Sequence, residues 1–380
     1  MLYHKTVNLK KLRIFFSLVF IFVLAAPFMA AHAQSSPDAY YRAKVLSILD
    51  AGQKSVDGEP MEYQTVSLEI VNGDEKGKEI TVDHGGLFAI DEHEKVRPGE
   101  VVVVTKSTAE ATQEDFYYIT EKYRAPRLGI VALIFFGLAV GFGGRYGLRA
   151  ILGMGLSILV IFSFIIPRIL QGNDPFLVCM LGALMILFLS LYVSHGFNRR
   201  ITIALISTLL TFGAALLLDF FFVTFVKLFG TGTEEAFYLQ FGTVDINLRG
   251  LLLGGIIIGV LGVLDDITTA QAATIEEIHL ANPQLSFREL SRKGLSVGRE
   301  HIASLVNTLM LAYAGASLPL LLLFSNRPPM PLWLTFNSNF IAEEIVRTLV
   351  GSSALIIAVP VTTFLAAYWY SRTPSSAASS

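Results

Sequence analysis

Polar and apolar positions divide this chain into two unlike halves. From about Ser36 to Arg127 the sequence is polar, with short β-rich runs at Tyr41–Leu49, Tyr63–Val71, Lys78–Val82, Val101–Lys106 and Phe116–Thr120. Asn72-Gly73-Asp74, Gly85-Gly86 and Pro98-Gly99 punctuate them as turns. This pattern predicts a small β domain, an OB-like barrel or a sandwich. After Arg127 come apolar segments at Leu128–Gly143, Ala150–Ile169, Phe176–Val193, Ile201–Val226, Leu251–Ala270, Ile302–Phe324 and Thr348–Tyr368. Each is near the ~20 residues that cross a bilayer core, the first being the shortest. They predict an all-α transmembrane bundle of about seven helices.

The N-terminus has Lys5, Lys10, Lys11 and Arg13, then an apolar Ile14–Phe28, then Ala31-His32-Ala33. That is the three-part pattern of a signal peptide, with an uncleaved anchor as the alternative. The expected organisation is a signal peptide over 1–33, an extracytoplasmic β domain over 34–127, a helical membrane domain over 128–370 and a disordered cytoplasmic tail over 371–380. Basic residues sharpen the sidedness. Arg145, Arg149, Arg199, Arg200, Arg288, Arg292, Lys293, Arg299 and Arg372 fall in connections on one side, and fewer bases fall on the other. By the positive-inside rule the β domain is outside a cytoplasmic membrane and the C-terminus is in the cytoplasm.

Composition agrees with that division. Of 380 residues, 53% are hydrophobic and 16% charged, too apolar for an ordinary soluble domain. A net charge of -2 gives no basis for nucleic-acid binding, and a single cysteine, Cys179, makes neither an intrachain disulfide nor a metal site. His84 and His93 read as surface residues because a metal site needs three or four convergent ligands. Phosphate-loop, HExxH and GxSxG patterns are absent from the sequence, so the chain is read as a non-enzyme with no cofactor and no metal.

The chemistry concentrates in Gly250–Ile278, a glycine-faced apolar helix that runs directly into paired acids. A carboxylate within hydrocarbon costs a few kcal/mol unless a partner, water or a proton relieves it. Helical spacing puts Asp265, Asp266, Thr269, Glu276 and Glu277 on one polar stripe with small alanines. The pairs Gly250/Gly254 and Gly255/Gly259 have the GxxxG spacing of close helix packing. In the next span Arg299 stands at the inner mouth, and Asn307 and Thr308 follow about two turns deeper, near the depth of the aspartates. These eight residues from Asp265 to Thr308 are the candidate ion or substrate site, against the plainer readings of a hydrated helix end and routine interhelical bonds. Ser286 and Glu289 have capping-box spacing for a short interfacial helix, and Pro319 and Pro360 are candidate kinks. Glu343 and Arg347 are spaced for an i, i+4 ion pair with Glu344 beside them, and Asp219 reads as hydrated toward the outer end.

At these residues the chain resembles the YibE/F-like family of bacterial multispanning membrane proteins. The resemblance is carried by Gly262-Val-Leu-Asp-Asp266 through Glu277, by Val306-Asn-Thr-Leu-Met-Leu-Ala-Tyr313 through Pro319, and by Ala342-Glu-Glu-Ile-Val-Arg347 through Thr363. Tyr117-Tyr118-Ile119 with Arg124 is similar as well. The family pattern has one aspartate after the glycine, matching Asp266, and an acid matching Glu277, so Asp265 and Glu276 depart from it. The resemblance implies an external β domain and a helical bundle but no substrate. The expected function is an ion- or proton-coupled secondary transporter or permease, with the bilayer and a small solute or ion as partners. The alternative is a non-transporting sensor or envelope assembly factor whose β domain binds an envelope protein. A homo-oligomer fits either reading.

Overall fold

The computed structural model describes residues 39–56, 59–85, 90–108, 115–242, 244–325 and 331–372. The signal segment and the residues after 372 lie outside them. Two compact units divide the chain, Met29–Leu138 and a unit that runs on from Ala139.

The first unit is an antiparallel half-barrel. Its strands are β1 (Ala39–Val56), β2 (Glu59–Ile70), β3 (Glu79–His84), β4 (Val101–Thr108) and β5 (Asp115–Lys122), in the order β3-β2-β1-β4-β5. Each of the five β-rich runs of the sequence lies within one of these strands or overlaps it closely. Side chains alternate across a strand, so Tyr41, Ala43 and Val45 enter one core with Val66, Leu68, Ile70, Val82, Val102 and Val104. Ala43 pairs with Ile70 on one side and Val102 on the other, at the middle of the sheet. Bulges between Val45 and Ser47 and between Ile48 and Asp50 bend β1. Gly73 turns the chain at φ 77°, where a methyl group would lie 2.9 Å from the Tyr41 ring.

Glu75, just after that turn, ties the sheet together. Its carboxylate accepts from Lys106 Nζ and Tyr117 Oη at 2.7 Å and from Lys78 Nζ at 2.8 Å, joining the β2–β3 turn to β4 and β5. These donors hold the carboxyl down from the ordinary 4.5 to about 2, Lys106 first among them.

The second unit is helical. Its elements, with α1 beginning ahead of the boundary, are α1 (Ala125–Val160), a π turn at Ile161–Ile165, α2 (Ile166–Leu170), α3 (Pro175–His195), α4 (Arg199–Phe225), α5 (Glu234–Leu239), α6 (Leu248–Ala281), α7 (Phe287–Ala316), α8 (Leu318–Ser325), α9 (Leu332–Phe336) and α10 (Asn339–Ser371). Asp174, Asn198 and Asn247 cap α3, α4 and α6 by accepting from backbone N–H groups at 2.9, 2.9 and 3.0 Å. Ser286 and Glu289 form the expected capping box at the start of α7. α6 and α10 sit at the centre: α10 packs on α4, α6 and α7, and α6 on α3 and α4.

Among the described residues five helices are long and apolar enough to cross a membrane, which fits a membrane-embedded chain. The seven apolar segments map onto them unevenly. The first two belong to one 46-residue helical stretch, Ala125–Leu170, that leaves helical geometry at Gly144 (φ 53°, ψ -130°). The chain turns back there, so a methyl at Gly147 would strike the Ala139 carbonyl oxygen. The sixth segment is split. α7 is one continuous helix from its capping box to Ala316, and the break falls at Ser317, just before Pro319 at the head of α8. No separate interfacial helix precedes it. Pro360 lies inside an unbroken α10.

Because the Glu75 carboxyl is depressed, its contribution is fully present above pH 4.5 and is lost as pH falls toward about 2. Circular-dichroism melts of the segment spanning Ala39 to Arg124 are expected to show Tm falling through that window. Glu75→Gln lowers Tm at pH 7 and removes most of the acid-side slope.

Candidate functional site

α6 is 34 residues long, about 51 Å at 1.5 Å per residue, against a hydrocarbon core of ~30 Å. Its first ~20 residues, ending near Ile267, are enough to span such a core, and a crossing that begins at Leu248 would leave Asp265 close to one edge and Glu276 beyond it.

The stripe on α6 is met by a different neighbour at each level. Ser190 Oγ of α3 donates to Asp265 Oδ2 at 3.1 Å, while Asp265 Oδ1 is buried without a partner. Gly153 of α1 admits α3 closely here, since a methyl would strike the Ser194 hydroxyl. One level on, the Thr208 and Thr268 hydroxyls share a 2.7 Å bond, linking α4 to α6. Thr269 turns its hydroxyl to the carbonyls of Asp265 and Asp266 at 2.8 and 3.0 Å, a back-bond that fills those acceptors and aims no donor at a solute.

Gln271 is the junction of three helices. Its Nε2 donates to the Gly294 carbonyl of α7 at 3.0 Å and to Thr363 Oγ1 of α10 at 2.8 Å, while Oε1 is buried and unpartnered. Gly294 and Gly298 permit this contact: a methyl at 294 would strike Ile275, and one at 298 would strike Val359 and crowd Gln271. Further along, Arg200 of α4 pairs with Glu276 at 3.2 Å, and Tyr370 Oη donates to the other carboxylate oxygen at 2.8 Å. His279 lies against the Tyr370 ring, centroids 5.6 Å apart.

The sequence-predicted residues therefore separate. Asp265, Thr269 and Glu276 face the bundle, whereas Asp266 and Glu277 are exposed. Arg299, Asn307 and Thr308 are exposed as well and do not join the aspartates. The Thr308 hydroxyl bonds back to the Ser304 carbonyl at 3.0 Å. Asn307 has the anticipated depth, because α7 runs antiparallel with Gly298 beside Gln271 and Tyr313 near Gly259. It is on the wrong face. Sequence reasoning missed Ser190, Thr208, Arg200, Gln271, Thr363 and Tyr370. Gln271 alone was legible, as an uncharged polar side chain within the acid stripe.

The glycine pairs also separate in role. A methyl at Gly254 would meet Cys179 at 2.6 Å, so Gly250 and Gly254 form a close seam with α3. Gly255 and Gly259 instead leave room for side chains, with Arg347 Nη1 and Tyr313 Oη 3.8 and 3.7 Å from where a methyl would be.

At that end of the bundle two expectations are corrected. Arg347 pairs with Glu344 at 3.3 Å, one residue closer than Glu343. Glu343 is buried, with its carboxylate against the backbone amides of Gly230, Thr231 and Gly232. Asp219 is not at the surface: it is 0% exposed and neither carboxylate oxygen has a protein partner.

In the β unit, His84 and His93 line one groove with Glu94 and Lys122. His84 Nε2 lies 3.2 Å from the Glu94 carbonyl oxygen. Among the described residues no three metal-ligating side chains converge.

Residues 131–372, from the first turns of α1 to the end of α10, match the family described as YibE/F-like protein. The chain belongs to the YibE/F-like family. The YibE/F-like match takes in every residue of the α6 stripe and both glycine pairs and leaves the β strands outside it. Neither a curated protein nor a solved structure matches the chain.

The contrast between Gly298 of α7, which is closely packed, and Gly262 of α6, which faces open space, gives a test of the three-helix junction. Gly298→Val is expected to lower the unfolding midpoint in detergent by the equivalent of about 1–3 kcal/mol of overpacking. Gly262→Val, with nothing within 4 Å of the added carbon, leaves it unchanged.

Proposed function

We propose that the chain is an ion- or proton-coupled secondary transporter or permease in which Asp265 is the working carboxylate. One observation carries the reading: an aspartate at the end of the apolar stretch of α6 has one oxygen held by Ser190 and the other buried and unpaired. An acid left half-satisfied in a low-dielectric setting is stabilised by a proton or a bound cation, and exchange of that ligand is the elementary step of ion coupling. Asp266 has no such arrangement. Its exposure marks it as a residue that water or a neighbouring surface satisfies.

This reading takes the bundle as seven crossings of a bacterial cytoplasmic membrane. The reversal at Gly144 supports counting Ala125–Leu170 as two of them, and α7 with α8 as another. It takes the half-barrel as an OB-like module outside the membrane, supported by the strand order and by the approach of the edge strands β3 and β5.

A second reading has a specific observation in its favour. Leu46, Ile48 and Leu49 stand exposed on the long β1 strand, at 38, 36 and 58%, a run of apolar side chains suited to a protein partner. On that reading the chain is an envelope assembly or sensing factor.

Ion and metabolite accumulation in a strain lacking the gene separates the two. Restored with Asp265→Asn, the strain is expected to keep the deletion phenotype, while Asp266→Asn restores wild-type accumulation. Full restoration by Asp265→Asn removes the transport reading. Photo-crosslinking from position 48 then becomes the deciding measurement, and a defined envelope protein captured there, and lost with Ile48→Asp, is the expected product of the second reading.

A further inference from the structure

The acid that no motif flags is the most deeply enclosed on the helical unit. Asp219 lies toward the end of α4, at the outer end of the bundle in the sidedness read from the sequence, and it is 0% exposed with both oxygens unpartnered. The charged and titratable groups toward this end of the bundle come from α10, α6 and α3, which pack on α4, and from α7, which packs on α6 and α10. From α10, which packs on α4, come Arg347, paired with Glu344 at 3.3 Å, and Glu343, whose carboxylate faces the Gly230–Gly232 backbone. From α6 comes Arg249, whose Nη2 is already committed to Thr224 Oγ1 at 2.6 Å. From α7 comes Tyr313, whose hydroxyl lies 3.7 Å from where a methyl at Gly259 would be. α3 brings Asp174, which is occupied in capping its own helix, and Cys179, which fills the Gly254 seam.

What this enclosed carboxyl is suited to bind follows from its surround. A metal cation would need several oxygen ligands, and Asp219 offers two, with no second side-chain oxygen bonded to either. It would also lie in the field of a guanidinium. A proton needs only one oxygen and no geometry. The guanidinium itself is only loosely committed: it reaches Glu344 at 3.3 Å through Nε without hydrogen-bond alignment, and the space beside Gly255 leaves it room to move.

We propose that Asp219 is a second proton-binding site, at the opposite end of the bundle from Asp265, and that Arg347 is its exchangeable counter-charge. With the proton on Asp219, Arg347 stays with Glu344. When the proton leaves to water, the bare carboxylate draws Arg347 away from Glu344, and α10 shifts with it. As a proton-coupling device this rests on the transport reading above, whereas the proton site stands or falls by itself.

Infrared difference spectroscopy of the full chain in lipid nanodiscs, with pH and hydrogen–deuterium exchange as the perturbations, reads the site directly. The wild type is expected to show a protonated-carboxyl C=O band that Asp219→Asn abolishes, that Asp219→Glu moves in frequency, and that Asp265→Asn leaves in place. Arg347→Gln moves the pH at which this band disappears upward, because the deprotonated state loses its counter-charge, and Arg347→Lys moves it much less. A band unchanged in both Asp219 variants overturns the proton site. A titration unmoved by Arg347→Gln overturns the counter-charge. An Asp219 band that behaves as expected while Asp265→Asn restores normal accumulation in the deletion strain leaves the site in place and removes the transport reading alone.

Discussion

The α6 stripe is organised by one constraint: a polar group carried into an apolar bundle is costly unless another polar group inside the bundle meets it. α6 brings an aspartate, two threonines, a glutamine, a glutamate and a histidine along one side within about four turns. α3 answers with Ser190, α4 with Thr208 and Arg200, and α10 with Thr363 and Tyr370. Magnitudes show what this matching does. Interhelical hydrogen bonds in membranes are each worth about 0.6 to 2 kcal/mol, while an unrelieved carboxylate costs at least a few. The bonds therefore do not glue the bundle so much as permit that sequence to be buried, and they fix which neighbour stands at which level.

Close approach is the second requirement, and glycines supply it where polar partners must reach one another. Gly153 lets α1 sit on the serines of α3 beside Asp265, and Gly294 and Gly298 let α7 reach Gln271. Gly255 and Gly259 do something else. There the missing side chains become space for Arg347 and Tyr313, so one helix has a tight face toward α3 and a roomy face toward the charges of α10. The two ends of the bundle differ accordingly: near Glu276 the acid is paired and hydrogen-bonded, whereas at Asp219 it is enclosed with no partner.

The β strands were legible because a half-buried strand writes its burial in a period of two, and Tyr41, Ala43 and Val45 in β1 obey it. Most of the apolar helices were legible from length alone. The face of each acid was not. Asp265 and Asp266 are one residue apart, about 100° around a helix, so when one points into the bundle the other points away. Which one does so depends on α3 and α4, whose positions no local pattern encodes. Asn307 failed for the same reason, at the right depth but rotated outward. The Glu343–Arg347 pair failed because the loop at Gly230–Gly232 offers Glu343 backbone amides, and the arginine takes the next acid along. Long-range partners overrode spacing in each case.

The two acid sites also bear on each other through what lies between them. From Gly255, level with Arg347, to Asp265 is about 15 Å of helix. Its inward side chains, Ile256, Ile257, Val260, Leu261 and Leu264, are 0–3% exposed. These five packed aliphatic side chains offer no polar group along α6 itself, so α6 alone does not link the two levels. Communication between them then involves a neighbouring helix, and α10 is the one placed to carry it. It contacts α4, α6 and α7, carries Arg347 at one end and the Gln271 and Glu276 partners Thr363 and Tyr370 toward the other, and contains Pro360 between the two. Proline removes one backbone hydrogen bond from a helix interior, which makes that point the least costly place to bend. The proposed change of charge partner at Arg347 would thus act along the same helix that completes the α6 polar stripe.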